Sequence, residues 1–256
     1  MIRVGVIGAT GRVGAEVCRA VHDAKDLALV AGISQSKAGV KASEALGLEG
    51  SDVVLAENLD SFVEAAVEVG VDFTKGEYAP EHVEWAIEHG VHIVVGTTGF
   101  QVDPSWGDAR VGVVVAPNFA IGAALMQRFA AQAARHLPAV EIVELHHDGK
   151  ADAPSGTAAA TADAVAAARS EAWQGPAAES LAGVRGGDRS GIRIHSIRLP
   201  GLVAHQEVIL GGQGQTLTIR HDSTDRTSFV PGVLLAIRWV RDHAGLTVGL
   251  DPILDD

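Results

Sequence analysis

The chain has 256 residues, of which 47% are hydrophobic, and it carries a formal net charge of −12 at pH 7 and a single cysteine, Cys18. This length suits one large domain or two ordinary ones, the acidic balance argues against nucleic-acid binding, and one cysteine excludes an intrachain disulfide. The sequence shows neither a signal peptide nor the ~18-residue apolar run that a membrane span needs, so we expect a soluble cytoplasmic protein with no membrane partner.

Short apolar strands alternate with helices in the first part of the chain. Strands are predicted at 2–7, 27–33, 52–55, 69–73, 91–95 and 111–116, and helices at about 12–22 and 80–90. Short buried strands that alternate with helices are typical of a parallel sheet covered on both faces. We therefore expect an α/β domain built on a Rossmann-type parallel sheet.

The first strand runs into a glycine-rich turn, in which Gly8, Gly11 and Gly14 form G-x-x-G-x-x-G before a helix. Glycines let the backbone approach a pyrophosphate closely, and the helix N-terminus supplies N–H groups and partial positive charge. The pattern predicts dinucleotide binding; a tight strand-to-helix turn without a ligand is the alternative.

The end of the second strand bears on the choice of dinucleotide. Residues 34–37 read SQSK, where an NAD-binding chain would place an acidic residue for the ribose 2′-hydroxyl. The hydroxyl of Ser34 and the charge of Lys37 favour the 2′-phosphate of NADPH, although NADH use stays possible and a merely solvated loop is the alternative. The DFT (72–74) and GTTG (96–99) segments end later strands and are expected at the same edge of the sheet.

The pattern changes after residue 119. Helices are predicted at about 121–136 and 156–173, and strands at 139–145, 192–199, 202–210 and 215–221. The PG and GGQG turns predict that the last three strands pair antiparallel in sequence order. A final helix at about 227–242 is expected to return to the first domain, so we expect a dinucleotide-binding domain of 1–119 completed by 227–256, and an α+β substrate-binding domain of 120–226.

The stretch HHDGKADAPSGT (146–157) gathers titratable groups directly before a helix. Ser155 suits the N-cap, and because residue 158 is alanine no capping box forms, which leaves first-turn N–H groups for an anion. His146 and His147 point to opposite sides unless the strand ends between them. With Lys150 adding a positive charge, the cluster predicts a carboxylate site beside a proton donor. A solvated loop with an ordinary cap and no ligand is the alternative. A zinc site is a second alternative, which the pattern disfavours because neighbouring histidines rarely reach one ion.

These motifs occur in the same order in a known family. GATGRVG, DFT, GTTGF, APNF and HHDGKADAPSGTA, with IHSIRLPGLVAHQEV and DRTSFVPG after them, make this chain resemble the dihydrodipicolinate reductases over nearly its whole length. The resemblance implies NAD(P)H-dependent reduction of 4-hydroxy-tetrahydrodipicolinate, a cyclic dicarboxylate, to tetrahydrodipicolinate on the diaminopimelate route to lysine. It also implies a Rossmann domain hinged to a domain with an open mixed sheet, through which homotetramers assemble.

The resemblance implies residue roles as well. His146 and Lys150 match the family's proton-transfer residues. The substrate-binding set comprises His147, Ser155, Gly156, Thr157 and Thr98. With Ser34 and Lys37 added from the reasoning above, the cofactor-binding set comprises Gly8, Ala9, Thr10, Gly11, Arg12, Val13, Ser34, Lys37, Phe73, Gly96, Thr97, Thr98, Ala116, Pro117, Asn118 and Phe119. No metal is implied. Asp148-Gly149 stand where the family often has a second basic residue, and Ser34 stands where many members carry an acid.

Other functions fit the residues less well. A short-chain dehydrogenase needs Tyr-x-x-x-Lys, but Tyr78, the only tyrosine, is followed four residues later by His82. A semialdehyde dehydrogenase needs a nucleophilic cysteine, and Cys18 lies in the first predicted helix. A catalytically silent NADP-binding sensor on the same fold is the strongest alternative, and Lys150 discriminates because a sensor has no need of it.

Overall fold

A computed structural model describes residues 1–173, 175–176 and 178–255. The chain divides into two compact units, which are Met1–Phe119 with Arg226–Asp256 (unit 1) and Ala120–Asp225 (unit 2). Gln174, Ala177 and Asp256 fall within the predicted domain ranges but lie outside the described residues.

The described part of the chain contains strands, α-helices and short 3₁₀ turns. The strands are β1 (Ile2–Ile7), β2 (Leu27–Ile33), β3 (Val69–Asp72), β4 (His92–Val95), β5 (Gly112–Val115), β6 (Ala139–His146), β7 (Gly187–Arg189), β8 (Ile192–Arg198), β9 (Ala204–Gly212), β10 (Gln215–Ser223) and β11 (Gly245–Val248). The α-helices are α1 (Gly14–Asp23), α2 (Ala42–Leu46), α3 (Asp60–Glu64), α4 (Ala79–Glu88), α5 (Ile121–Ala134), α6 (Gly156–Ala168), α7 (Val230–Trp239) and α8 (Asp251–Leu254). Short 3₁₀ turns lie at Pro104–Asp108, Arg226–Phe229 and Val240–Asp242. None of the described helices has the length and apolar character that crossing a membrane requires.

Unit 1 is built on a six-stranded parallel sheet in the order β11-β5-β4-β3-β1-β2. All four residues of β3 and of β5 are buried, as expected for strands covered on both faces. The order reverses between β1 and β3, which is the switch point where such sheets bind ligands. The α/β class and the Rossmann-type sheet predicted from the sequence are confirmed.

The strand predicted at 52–55 is wrong. Val54 and Ala56 form only isolated bridges, to Lys41 and Ile33. Leu55 is buried and exchanges backbone hydrogen bonds with the loop at Gly39 and Val40, whereas Val54 is half exposed. The apolar run therefore anchors a loop beside β2 rather than adding a strand to the sheet.

Unit 2 holds a five-stranded mixed sheet in the order β10-β9-β6-β8-β7. The predicted antiparallel pairing of β9 with β10 is confirmed, but the pairing of β8 with β9 is wrong. β6 lies between them, parallel to β8 and antiparallel to β9. The chain crosses the end of β6 at Leu199, whose N–H donates to the carbonyl of His146, so the PG turn belongs to a crossover and not to a hairpin.

One face of this sheet is packed by α5 and α6. Val140 and Ile142 of β6 share a buried cluster with alanines of both helices, among them Ala130 and Ala162. Glu141, Val143 and Leu145 alternate with them along β6, and all three remain partly exposed. The helix predicted to reach residue 173 ends at Ala168.

Candidate active site

The predicted cofactor residues all follow strands of the unit 1 sheet. Gly8–Val13 come after β1, Ser34 after β2, Phe73 after β3, residues 96–98 after β4 and residues 116–119 after β5. Because these strands are parallel, the structure brings the residues together at one edge of the sheet.

The turn between β1 and α1 requires its glycines. Gly8 has φ +79°, and a Cβ on Gly14 would lie 2.1 Å from the carbonyl oxygen of Gly8. Val13 at the N-cap makes no side-chain capping hydrogen bond, so no capping side chain covers the first turn of α1. The close-packed backbone and the uncapped helix start fit the pyrophosphate of a dinucleotide.

Ser34 is tied to this turn. Its Oγ lies 2.6 Å from Oγ1 of Thr10, and only 5% of the residue is exposed. Ser34 therefore sits against the glycine-rich turn and is not part of a solvated loop, whereas Lys37 is exposed three residues later. The two hydroxyls satisfy each other and bring no negative charge to the end of β2.

A buried carboxylate joins the loops after β3 and β4. Asp72 is fully buried and accepts from the backbone N–H and the hydroxyl of Thr74, from the hydroxyl of Thr97 at 2.7 Å and from His82 Nδ1 at 2.6 Å. Burial would raise the pKa of Asp72, but the hydrogen bonds from His82 and Thr97 hold it below its ordinary value. The ionised carboxylate thus fixes the buried Thr97, while Thr98 is exposed.

Aromatic packing shapes the same edge. The rings of Phe73 and Phe119 meet edge to face with centroids 6.0 Å apart. A Cβ on Gly96 would lie 2.1 Å from the Phe73 ring, so only glycine fits there without a shift. Phe73 and Phe119 therefore pack together at this edge of the sheet, and Phe119 is almost completely buried.

In unit 2, β6 ends at His146, and His147 begins the loop that leads to α6. The strand thus ends between the two histidines. Farther along the loop, Lys150 Nζ donates to both carboxylate oxygens of Asp152, at 2.7 and 2.9 Å. This ion pair lowers the pKa of Asp152, so its carboxylate stays ionised beside the lysine.

Glu144 holds the centre of this region, and the sequence reasoning missed it. Its side chain is fully buried on β6, where Oε2 accepts from His146 Nδ1 at 2.5 Å and from Arg198 at 2.9 Å. Oε1 accepts from Arg198 at 2.7 Å and from the backbone N–H of Ser155 at 3.2 Å. Burial would raise the pKa of Glu144, but the hydrogen bonds from His146 and Arg198 lower it to about 2. The period-two spacing of Glu144 and His146 was the available signal, because it puts both on one face of the strand.

The start of α6 is capped as predicted. Ser155 accepts from the N–H of Ala158 through its side chain, and only 3% of Ser155 is exposed. Its hydroxyl is thus engaged within the helix start, although Ser155 is one of the expected substrate contacts. Gly156 is exposed and a Cβ there would meet no atom within 4 Å, so the first turn is open on that side.

The described residues include no group of three or more His, Cys, Asp or Glu side chains placed to hold a metal ion. Arg198 also donates to the backbone carbonyl of Asp152 at 2.7 Å, which fastens the Lys150 loop to β8. The arrangement in unit 2 therefore presents a fixed imidazole, an ammonium group and an open helix start.

Two family models match the chain over almost its whole length. The model for the N-terminal part of dihydrodipicolinate reductase covers residues 2–119, and the model for the C-terminal part covers residues 122–254. The chain is 51% identical to a 4-hydroxy-tetrahydrodipicolinate reductase from Nocardia farcinica and 50% identical to one from Mycolicibacterium smegmatis. In each case the alignment covers 99% of both chains.

Solved structures are similar as well. A dipicolinate-bound dihydrodipicolinate reductase from Paenisporosarcina sp. TG-14 has a TM-score of 0.87 and 41% identity, with 99% of both chains covered. A myo-inositol dehydrogenase from Corynebacterium glutamicum has a TM-score of 0.63 at 13% identity, over 96% of this chain and 90% of its own. The second likeness reflects the fold alone.

Proposed function

The chain belongs to the dihydrodipicolinate reductase family, and we propose that it reduces 4-hydroxy-tetrahydrodipicolinate to tetrahydrodipicolinate with NADPH in the diaminopimelate route to lysine. The observation that carries this proposal is the cluster at the end of β6. It combines a buried carboxylate that fixes His146, a lysine four residues later and an open helix start. Proton transfer and carboxylate binding are what the reduction of a cyclic dicarboxylate requires.

His146 and Lys150 carry out the proton transfer. NADPH, when bound, would supply the hydride, and the reaction would also consume one proton and release water. Electron density that moves toward the ring nitrogen has to be met by a proton or a nearby cation. Lys150 offers the cation and a proton at Nζ, and His146 completes the transfer through its ring. His147 contacts the substrate from the next position.

The start of α6 holds a substrate carboxylate. The first-turn N–H groups at Gly156 and Thr157, with the partial positive charge of a 13-residue helix, suit an anion. Ser155 supports them by capping Ala158 and by donating its own N–H to Glu144. We assign Ser155 to shaping this turn, and Gly156 and Thr157 to direct contact. The relative from Paenisporosarcina, bound to dipicolinate, supports a dicarboxylate ligand.

Unit 1 residues hold the nucleotide. The uncapped α1 start and residues 8–13 take the pyrophosphate, and the loops at residues 73, 96–98 and 116–119 line the rest of the dinucleotide site. Thr98 is proposed to contact both nucleotide and substrate. The absence of a carboxylate at Ser34, with the exposed Lys37 nearby, favours NADPH over NADH.

Unit 1 is thus the dinucleotide-binding domain, and unit 2 is the domain for substrate binding and assembly. We further propose a homotetramer that forms through the sheet face of unit 2 opposite α5 and α6. The partly exposed Val143 and Leu145 on the middle strand support this.

A coupled assay tests the activity. Dihydrodipicolinate synthase generates the substrate in place, and NADPH oxidation is followed by absorbance. The proposal expects oxidation that depends on the synthase reaction and stops in a control lacking it. A folded protein that binds NADPH but oxidises none under these conditions is the silent sensor, and the proposed function would then be wrong.

A further inference from the structure

We propose that Glu144 and Arg198 are positioning residues that place the ring proton of His146 on Nδ1, leave Nε2 to exchange a proton with the substrate, and lock the loop of Lys150 and the start of α6 in place. The inference rests on the proposed function, because it assigns a purpose to His146 that a binding protein would not need. It concerns residues that lie outside the HH-x-x-K-x-DAPSGT motif.

The tautomer follows from the acceptor. Glu144 is ionised because its pKa lies at about 2, and an ionised carboxylate can only accept hydrogen bonds. His146 Nδ1 lies 2.5 Å from Oε2, a distance at which two unprotonated acceptors would repel each other. Nδ1 therefore carries a proton, and Nε2 is the ring nitrogen that is left for chemistry.

The same carboxylate organises three parts of unit 2. His146 ends β6, Arg198 ends β8, and Ser155 precedes α6. All three donate to Glu144, so the imidazole and the helix start share one anchor. Arg198 extends this anchor to the carbonyl of Asp152, whose side chain pairs with Lys150.

The pair is also electrically balanced. Glu144 is fully buried and the Arg198 side chain is 18% exposed, so each neutralises the other away from water. Removal of one partner leaves a buried charge unpaired and destabilises the fold. A variant that removes both charges is needed to separate loss of positioning from loss of stability.

Nuclear magnetic resonance of ¹⁵N-labelled histidine rings reads the tautomer directly. The His146 signals are assigned by their loss in His146→Gln. The spectra are recorded at about pH 8, above the ordinary histidine pKa of ~6.5. We expect the Nδ1 shift of a protonated nitrogen in the wild-type protein. His195, whose Nε2 faces Glu141 at 2.9 Å, serves as an internal reference. A neutral His146 with its proton on Nε2, or a shift averaged between tautomers, would overturn the inference.

Kinetics test the purpose of the network. Glu144→Gln should lower kcat about 10²-fold, the low end of what a positioned acid contributes, with unchanged NADPH affinity. Glu144→Gln combined with Arg198→Met leaves neither charge of this pair and should stay as slow, with His146 no longer held in the Nδ1-protonated form. Recovery of wild-type kcat in the double variant would mean that the pair serves stability alone.

Glu141→Gln is the matched control. Glu141 is another glutamate of β6 that pairs with a histidine, His195 on β8, and it also pairs with Arg185. The substitution should leave kcat within about twofold and should alter, among the histidine signals, only those of His195. Wild-type protein without substrate-dependent NADPH oxidation would instead defeat the proposed function, and the tautomer measurement, which needs no substrate, keeps the two failures distinct.

Discussion

At the scale of single residues, Lys150 is the most direct test of the chemistry. Lys150→Ala removes the ammonium group that we propose meets the developing charge, so kcat should fall by ~10²–10⁴. NADPH affinity should stay the same, because the proposed nucleotide residues belong to unit 1. Steady-state kinetics and NADPH titration measure the two effects separately.

Lys41→Ala provides the control for that experiment. Lys41 also pairs with an aspartate, Asp52, at 3.1 Å, but it lies on the exposed surface of unit 1 and outside the proposed proton-transfer residues. Its kcat should match the wild type. A Lys150→Ala protein with near-normal kcat, or one that no longer binds NADPH, would exclude the lysine from proton transfer.

Ser34 is the residue at which the proposed nucleotide preference is tested. Ser34→Asp places a carboxylate beside the Thr10 hydroxyl, where it would repel a 2′-phosphate and accept from a ribose 2′-hydroxyl. The ratio of kcat/KM for NADPH to that for NADH should fall at least tenfold, or about 1.4 kcal/mol. Ser36→Asp, two residues farther on in the exposed loop, should change the ratio less. A wild type that already prefers NADH tenfold would refute the assignment.

At the scale of elements, α4 supports the loop that follows β4, the next strand along the chain. His82 on α4 is the imidazole partner of the buried Asp72, which in turn fixes Thr97 after β4. His82→Ala leaves Asp72 one donor short, and such a loss at a charged group costs about 1.5–3 kcal/mol. We expect NADPH binding to weaken about tenfold while kcat at saturation stays near the wild-type value.

The control for His82 lies at the opposite end of the same helix, where His89 is the C-cap. His89 stacks on Trp85 at a centroid distance of 4.1 Å and is exposed. His89→Ala should leave the Kd for NADPH unchanged when it is measured by calorimetry. Equal NADPH affinity in wild type and His82→Ala would show that Thr97 is held well enough without the imidazole.

The sequence predicted elements better than it predicted their neighbours. The glycine turn, the parallel strands and the Ser155 cap follow from local rules, and each stands in the structure as expected. The pairing of β8 with β9 failed because a short turn reports chain reversal but not which strand lies beside which. Glu144 was not predicted because its partner Arg198 is 54 residues away, and a local pattern does not indicate an ion pair between distant residues.

At the scale of the whole molecule, that pair makes stability depend on acid pH. The pKa of Glu144 falls from 4.5 to about 2 on folding, so its contribution is complete above pH 4.5 and is lost as the pH falls toward 2. Between about pH 6 and pH 3 the wild type should lose about 2 kcal/mol through this group. Urea unfolding at both pH values should show a smaller loss for the Glu144→Gln, Arg198→Met double variant. Equal losses in the two proteins would contradict the lowered pKa.

Assembly is the last property that the fold leads us to expect. β6 is the middle strand of the unit 2 sheet. Val143 lies between Glu141 and Leu145 on the face of β6 opposite the one that α5 and α6 cover. Val143 and Leu145 are partly exposed apolar side chains at the centre of this face, and a second copy that covers them removes them from water. Val143→Lys should leave the fold intact, because this side chain does not belong to the buried cluster, but should break a tetramer into smaller species. Light scattering after size exclusion gives both masses, and Val63→Lys, at a half-exposed site on α3, is the control that should remain tetrameric. A monomeric wild type, or an unchanged mass for Val143→Lys, would rule this face out as the assembly surface.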